Sequence, residues 1–512
     1  MYLVGAGPGD PGLLTRRGAD LLAGADVVVY DHLASSRLLD LARPEAIRIC
    51  AGKSVGHCTL NQQQIHEVLI EHARSGRAVV RLKGGDPLVF GRGGEEASAL
   101  RAAGISFEIV PGVTAAVGVA AYSGIPPTHR DTASAVAFVT GHNDPRSGDG
   151  RLDWSALARF PGTLVVYMGV THLAAICETL IGEGKPADTP AAIVESGTLP
   201  AQRTTTGTLA TLPRQAVESG LRPPALLIVG EVVLLRDRLA WFERLPLFGQ
   251  RIVVTRPEAE LSRSAASLET MGAEVIAAPT VVVRPIADPG PLDDAIGRLE
   301  SFDWLVFTSP NGVRFFIDRL DKLGLDLRAV GRLQLAAIGP TTAEALAAYH
   351  LRADLVPDLF RSEALAASLA TRAAGSRVLL ARADRGRTIL RDQLGPLADV
   401  TQVAVYQNAD ADALPDGLDD RITAGSVDWI TLTSSAIARR LHALLSESAR
   451  QAVGTRVRLA SLSPVTSETV RALGWEVAVE ARDYTWDGLV RSLVEQADNE
   501  ERRRITLASP EA

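Results

Sequence analysis

The run Ala78, Val79, Val80, Arg81, Leu82 reads as a short buried strand, and just beyond it stand Gly84, Gly85 and Asp86. A strand that ends in two glycines and a carboxylate places a side-chain-free stretch at the carboxyl edge of a sheet, where open α/β sheets hold their ligands. Two adjacent glycines let backbone amides approach a bulky ligand or take positive φ, and Asp86 is placed to cap the next helix or to meet a polar ligand group. As an isolated tetrapeptide Gly-Gly-Asp-Pro is an ordinary turn. The rest of the first half decides between the two readings.

Strands with the same ending recur. Tyr2 to Val4 runs into Gly5-Ala-Gly7-Pro8-Gly9-Asp-Pro11-Gly12, with helix-period residues from Leu13 to Leu22. Gly7, Gly9 and Gly12 spell the GxGxxG of dinucleotide sites. Pro8 and Pro11 fill its variable positions, however, and remove N–H groups that a pyrophosphate needs at a helix start. The glycines are therefore read as a close wall for a substrate without phosphates. The strand Ala25 to Tyr30 ends in Asp31, and the strand Ile47 to Cys50 leads to Lys53, so both charges face the edge that carries Gly84 to Asp86. Further strand ends carry VPGVTAA (110–116), FVTGH (138–142), TLVVYMG (163–169), VESGT (194–198) and PPALLIVGEVV (223–233), the tempo of an alternating α/β chain. Met168 is either a core filler or a contact for a sulfur ligand.

Net charge of −7 argues against general nucleic-acid binding, so an acidic ligand must be held by local arginines. No apolar run reaches the roughly 18 residues of a membrane span, and no leader pattern follows Met1. Cys50, Cys58 and Cys177 lack metal-ligand spacing, even with His57 beside Cys58, and are read as thiols of a reducing cytoplasm with no metal.

VGAGPGDPGLLT, VVVYD, VVRLKGGDP, FGRGGEE, VPGVTAA, SGIPPTHR, FVTGH, YMG and IVGEVV stand in the order and spacing of the uroporphyrinogen-III C-methyltransferases, and residues 1 to about 245 resemble that family. The resemblance implies the two-part α/β fold of the tetrapyrrole methylases. It implies S-adenosyl-L-methionine as co-substrate, set against Pro8, Gly84, Gly85, Asp86, Val89, Thr114, Ala115, Met168, Gly197 and Ala225. It also implies Asp31 as base, Lys53 as acid and a homodimer through this segment. Leu88-Val89 departs from the family, where phenylalanine is frequent after Asp-Pro; altered packing is expected there.

Arg244 to Gln250 breaks the pattern, and a domain boundary is expected near residue 247, between domains 1–246 and 250–497. Beyond it lies an internal echo: Asp303-Trp-Leu-Val-Phe-Thr-Ser309 precedes Leu335-Ala-Ala-Ile-Gly-Pro by 32 residues, and Asp428-Trp-Ile-Thr-Leu-Thr-Ser434 precedes Leu459-Ala-Ser-Leu-Ser-Pro by 31. RIVVTRP at 251 is echoed by RVLLARADRGR at 377. Two copies of one α/β unit with a cleft between them are expected. Thr308, Ser309, Thr433, Ser434 and Ser435 follow these strands as helix N-caps or as donors to a ligand. With Arg256, Arg382 and Arg387 they suit carboxylates, which Arg forks bind bidentately.

VVTRP, DWLVFTSPNGV, AAIGPTTAEAL, LLARADRGR, VAVYQ and YTWDGLV resemble uroporphyrinogen-III synthase over residues 250 to about 495. That resemblance implies two α/β lobes joined by a β-ladder, roughly 250–283 plus 407–497 and 285–403, and Tyr406 as proton donor. Tetrapyrroles are then the small-molecule partners. Residues 498–512 read as a mobile tail. A nicotinamide-dependent oxidoreductase and a non-enzymatic two-lobed anion binder are the rival readings.

Overall fold

The computed structural model describes residues 1–52, 60–147, 152–385 and 388–508, except the side chains of 259 and 501–508. The expected sites Lys53 and Arg387, and Cys58, lie outside the described residues. The chain is mixed α/β and divides into two compact units, Met1–Gln250 with Glu269–Glu274, and Arg251–Leu268 with Val275–Ala512.

In the first unit β1 (Tyr2–Gly5), β2 (Val27–Tyr30), β3 (Ile47–Cys50), β4 (Val79–Lys83) and β5 (Glu108–Val110) form a parallel sheet in the order β3-β2-β4-β1-β5. Both faces are covered at the centre of the sheet, which is why β1 and β2 are continuous apolar runs, whereas the edge strand β3 is largely exposed and alternates. Period-two geometry sends Val4, Val28, Val80 and Leu82 to one core and Leu3, Val27, Val29 and Val79 to the other. β6 (Val136–Thr140), β7 (Thr163–Tyr167), β8 (Pro190–Glu195), β9 (Arg203–Thr208) and β10 (Ala225–Val229) form a second, mixed sheet, β6-β7-β10-β8-β9, with β8, β9 and β10 antiparallel to their neighbours. The first helix does not begin at Leu13. Asp10 Oδ1 accepts from Gly12 N and folds Pro11–Leu13 into a 3-10 turn, and Thr15 then caps the helix Arg16–Ala23.

The second unit has two sheets. β11 (Arg251–Val254) and β12 (Glu274–Ala277) join strands from the far end of the chain, and β13 (Val281–Pro285), β14 (Trp304–Phe307), β15 (Gln334–Ala337), β16 (Arg377–Ala383) and β17 (Asp399–Asp410) make the other sheet, in the order β13-β17-β16-β14-β15. With β18 (Trp429–Leu432), β19 (Arg458–Ser461) and β20 (Val479–Glu480) the first of these sheets runs β12-β11-β18-β19-β20. The echo in the sequence is an echo in space: β11-β18-β19 and β16-β14-β15 are matching parallel triplets, Ile252 facing Trp429 and Val378 facing Trp304. At the expected division near 283 and 407, β13 pairs antiparallel with the end of β17, from Val281 opposite Asp410 to Pro285 opposite Tyr406, while the earlier part of β17 pairs parallel with β16 in the same sheet. Residues 498–508, expected to be tail, continue the helix Trp486–Ala508, and Glu500 pairs with Arg458.

Candidate active sites

In the first unit the glycine strand ends meet main chain to main chain. Gly7 and Gly85 exchange two hydrogen bonds, Gly85 N to Gly7 O at 2.7 Å and Gly7 N to Gly85 O at 3.2 Å. A Cβ on Gly5 would stand 2.5 Å from Gly112 Cα, and one on Gly112 would stand 2.2 Å from Gly85 O, so three strand ends are fused by the absence of side chains. Gly85 takes φ +68°, and a Cβ there would meet only Thr114 Cα at 3.8 Å and Ala115 N at 3.9 Å. A side chain at Gly85 would thus fill the gap before the helix Ala115–Ser123.

Asp86 caps no helix. Its Oδ1 accepts from Leu88 N at 2.8 Å and Val89 N at 3.2 Å, and its Oδ2 from Gly112 N at 3.0 Å, so the carboxylate ties the turn after β4 to the turn after β5. Pro8 lies over the same helix, since a Cβ on Gly118 would come within 2.6 Å of Pro8 Cγ; Gly197 approaches Val119 in the same way, at 2.5 Å. The Thr114 hydroxyl is 2.6 Å from Tyr167 Oη, which also accepts from Ala116 N at 2.8 Å. Burial raises the Tyr167 pKa, so it stays a neutral phenol. Met168 is half exposed at φ +54°, which removes the core-filler reading. Ala225 opens β10 opposite Glu195.

The charged groups behind this edge were not anticipated from the sequence. Arg81 and Lys83, two apart on β4, point to one face, where the helix Gly93–Ala102 packs and delivers Glu96. Lys83 Nζ lies 2.9 Å and Arg81 Nε 3.2 Å from Glu96 Oε1, and all three side chains are buried. Arg81 also pairs with Asp31, whose other oxygen is 3.8 Å from Lys83 Nζ. Burial pulls the Lys83 pKa down, with Arg81 adding to the effect. Asp31 is the open end of this group, its side chain 28% exposed. Two basic residues interrupting an otherwise apolar strand, followed by Glu95-Glu96, were the available signal.

In the second unit the candidates are more occupied. Ser309 and Ser434 both cap helices, accepting from Gly312 N at 3.0 Å and Ile437 N at 3.3 Å. Arg256 pairs with Glu260, bonds Ser264 and lies over the Trp486 ring, so it is not an open anion receptor. Tyr406 is buried, stacks on Phe315 and stands 3.0 Å from Ser309 Oγ. Thr308 and Arg382 line a cavity of about 180 Å³ with Ile338, Ser362, Leu380 and Leu390, room for a carboxylate arm but not for a macrocycle. A larger notch of about 370 Å³ opens at the amino edge of the first sheet, beside Asp26, Arg43 and Arg77, remote from the strand ends that carry these residues. Among the described residues no three His, Cys, Asp or Glu side chains are grouped to hold a metal, and no helix is long and apolar enough to cross a membrane.

A parallel sheet whose strand ends close on one another through glycines, a second mixed sheet after it, and then paired α/β lobes are the arrangement of a tetrapyrrole methylase joined to a uroporphyrinogen-III synthase. The family model for tetrapyrrole (corrin/porphyrin) methylases matches residues 1–213, and that for uroporphyrinogen-III synthase HemD matches residues 262–491. The porphyrin biosynthesis protein HemD of Ruminiclostridium josui is 36% identical over 493 residues, 94% of this chain and 93% of that one. The chain belongs to this family of fused tetrapyrrole-biosynthesis enzymes, and carries C-methyltransferase and synthase units. The siroheme synthase of Thiobacillus denitrificans is 54% identical over 242 residues, and the chain spans about half the length of that relative. A solved uroporphyrin-III C-methyltransferase from Thermus thermophilus, complexed with S-adenyl homocysteine, is 44% identical and covers 46% of this chain and 98% of its own, at a TM-score of 0.40.

Proposed function

We propose that the second unit closes hydroxymethylbilane to uroporphyrinogen III with inversion of ring D, and that the first unit methylates this product twice to give precorrin-2. The observation that carries the reading is the first unit's strand edge, where the partly exposed Asp31 carboxylate and the open position at Gly85, which faces only backbone atoms of Thr114 and Ala115, stand at the ends of adjacent strands. The residues fit S-adenosyl-L-methionine, because the gap at Gly85 is one that a Cβ would fill, Thr114 and Ala115 border it, and Tyr167, which precedes Met168, bonds Thr114. When bound, that donor supplies an electrophilic sulfonium methyl, which an electron-rich pyrrole carbon takes as the C–S bond breaks and S-adenosylhomocysteine leaves.

Asp31 is the residue of this chain suited to the positive charge that the macrocycle gains and to the proton it then loses. Arg81 and Lys83 fix the carboxylate from behind, leaving its exposed side to the substrate. Family resemblance gives Lys53 the part of an acid. In the second unit the substrate loses its terminal hydroxyl as water and passes through a cationic azafulvene and a spiro intermediate. That chemistry asks for a shaped cleft, a proton and a stabilising field rather than a nucleophile. Tyr406 is assigned the proton, and Thr308, Ser309, Ser434 and Arg382 the substrate's carboxylates.

Incubating the chain with hydroxymethylbilane and S-adenosylmethionine tests both halves at once. Precorrin-2 is the expected product, with uroporphyrinogen III when the donor is omitted; a type I macrocycle or an unmethylated product would overturn the reading. Pairing of two copies through the first unit belongs to the same proposal, supported by exposed Leu234, Leu239 and Trp241, and sedimentation of residues 1–249 as a monomer would remove it. The free thiols Cys50 and Cys177 support a reducing cytoplasm; burial pushes Cys177 up to about 12 and keeps it protonated.

A further inference from the structure

Thr198 takes φ +70°, a conformation costly for a β-branched residue, and it does so beside the methyl-donor cleft. Its N–H donates to Gln202 Oε1 at 2.8 Å, and its hydroxyl accepts from Asp10 N at 3.0 Å. Gln202 has its own amide fixed, because Nε2 donates to Glu243 Oε1 at 2.7 Å and so turns Oε1 toward Thr198. Glu243 is fixed in turn by Thr204 Oγ1 at 2.6 Å and by Arg236 Nη2 at 2.6 Å. Thr198 and Gln202 are each only 2% exposed.

The far end of this chain of bonds is the loop that carries Gly7 and Pro8. Asp10 accepts from Gly12 N through Oδ1 and from Tyr122 Oη at 2.6 Å through Oδ2. Gly9 is needed for the approach, as a Cβ there would lie 2.8 Å from Thr198 Oγ1. None of these groups is assigned to methyl transfer, yet every bond converges on the loop that pairs with Gly85.

We propose that Gln202, Thr198 and Glu243 are positioning residues that hold the loop Gly7–Asp10 in its donor-binding shape. The proposal rests on the methyl-donor reading of the cleft. In the full chain, Gln202→Leu leaves the Thr198 N–H without its acceptor, and S-adenosylhomocysteine should bind about 10-fold more weakly by calorimetry, the scale of one unsatisfied buried donor. The KM for S-adenosylmethionine should rise by a similar factor with kcat within about twofold, and synthase activity of the same molecules should not change. Glu243→Leu should match Gln202→Leu, while Glu243→Gln, which keeps an acceptor for Gln202 and Thr204, should regain most of the lost affinity. Thr198→Val removes only the hydroxyl, should cost about fivefold, and decides the matter if Gln202→Leu does not fold. Wild-type affinity in both Gln202→Leu and Thr198→Val overturns the network. If Asp86→Ala also binds normally, the donor site itself is misplaced; if Asp86→Ala alone is weakened, only the network falls.

Discussion

The two units build their candidate sites from different material. Six non-glycine residues have positive φ among the described residues, and five of them, Phe90, Arg92, Met168, Ser196 and Thr198, follow strand ends of the first unit. The sixth, His350, ends a helix turn in the second. Backbone held in sparsely populated conformations clusters at ligand clamps, so the first unit invests its strain in one cleft. The second unit shows side chains already engaged: Ser309 and Ser434 cap helices, and Arg256 is paired with Glu260 of the helix that follows it. A hydroxyl that accepts a cap bond has only its O–H and one lone pair left to offer a substrate, and Ser309 also meets Tyr406. Single side chains should therefore matter more for the first reaction than for the second.

Asp31→Asn gives the largest expected break in that comparison. The change is nearly isosteric and removes charge and basicity, so methylation should fall by about 10²-fold or more, the scale of a lost general base, while cyclisation is untouched. Arg81 keeps Glu96 as a partner, so the fold should survive. A methylation rate that holds while only stability drops would make Asp31 merely the counter-ion of Arg81.

Asp86→Ala should come next. It strips the acceptor from Leu88 N, Val89 N and Gly112 N, loosening the join between two strand ends, and donor affinity should fall by about 10-fold or more. Unchanged S-adenosylhomocysteine affinity by calorimetry would remove Asp86 from the donor site. Tyr406→Phe tests the second unit: if the phenol supplies the proton, cyclisation slows by about 10-fold with methylation intact. If Tyr406 only satisfies Ser309, the rate holds and the unit loses about 1 kcal/mol of stability, read from its denaturant midpoint.

The same contrast governs what the chain disclosed before its structure. Strand runs such as Val27-Val28-Val29 and glycine strand ends are local signals, and the duplication in the second half was legible as repeated Asp-Trp strands. What stayed hidden depends on register between distant segments. Glu96 meets Arg81 only because a helix lies across β4, and Asp10 meets Tyr122 and Thr198 across 112 and 188 residues. Nor do local patterns mark the strand behaviour near 283 and 407: β17 is one 12-residue strand that pairs with β16 first and β13 later, a change of partner that no run of residues announces. Arg256 looked available because its partner Glu260, one helical turn on, is an ordinary surface acid in the sequence.

The smallest expected effect is that of cutting the chain near Gly249. Each unit encloses its own cores, Leu3, Val27 and Val28 with their neighbours in the first, and Leu305, Phe316 and Leu379 or Ile430, Leu441 and Leu459 in the second. Pieces with complete cores and complete site residues should fold separately. Joined units differ from mixed ones only in supply, because a tether raises the local concentration of uroporphyrinogen III at the methylating unit without any new contact. Mixed halves should therefore form the same product more slowly at low protein concentration and equally fast at high concentration. Insolubility or inactivity of either half alone would show that the units depend on each other structurally, and a rate gap that persists at high concentration would show direct transfer of the intermediate instead of simple proximity.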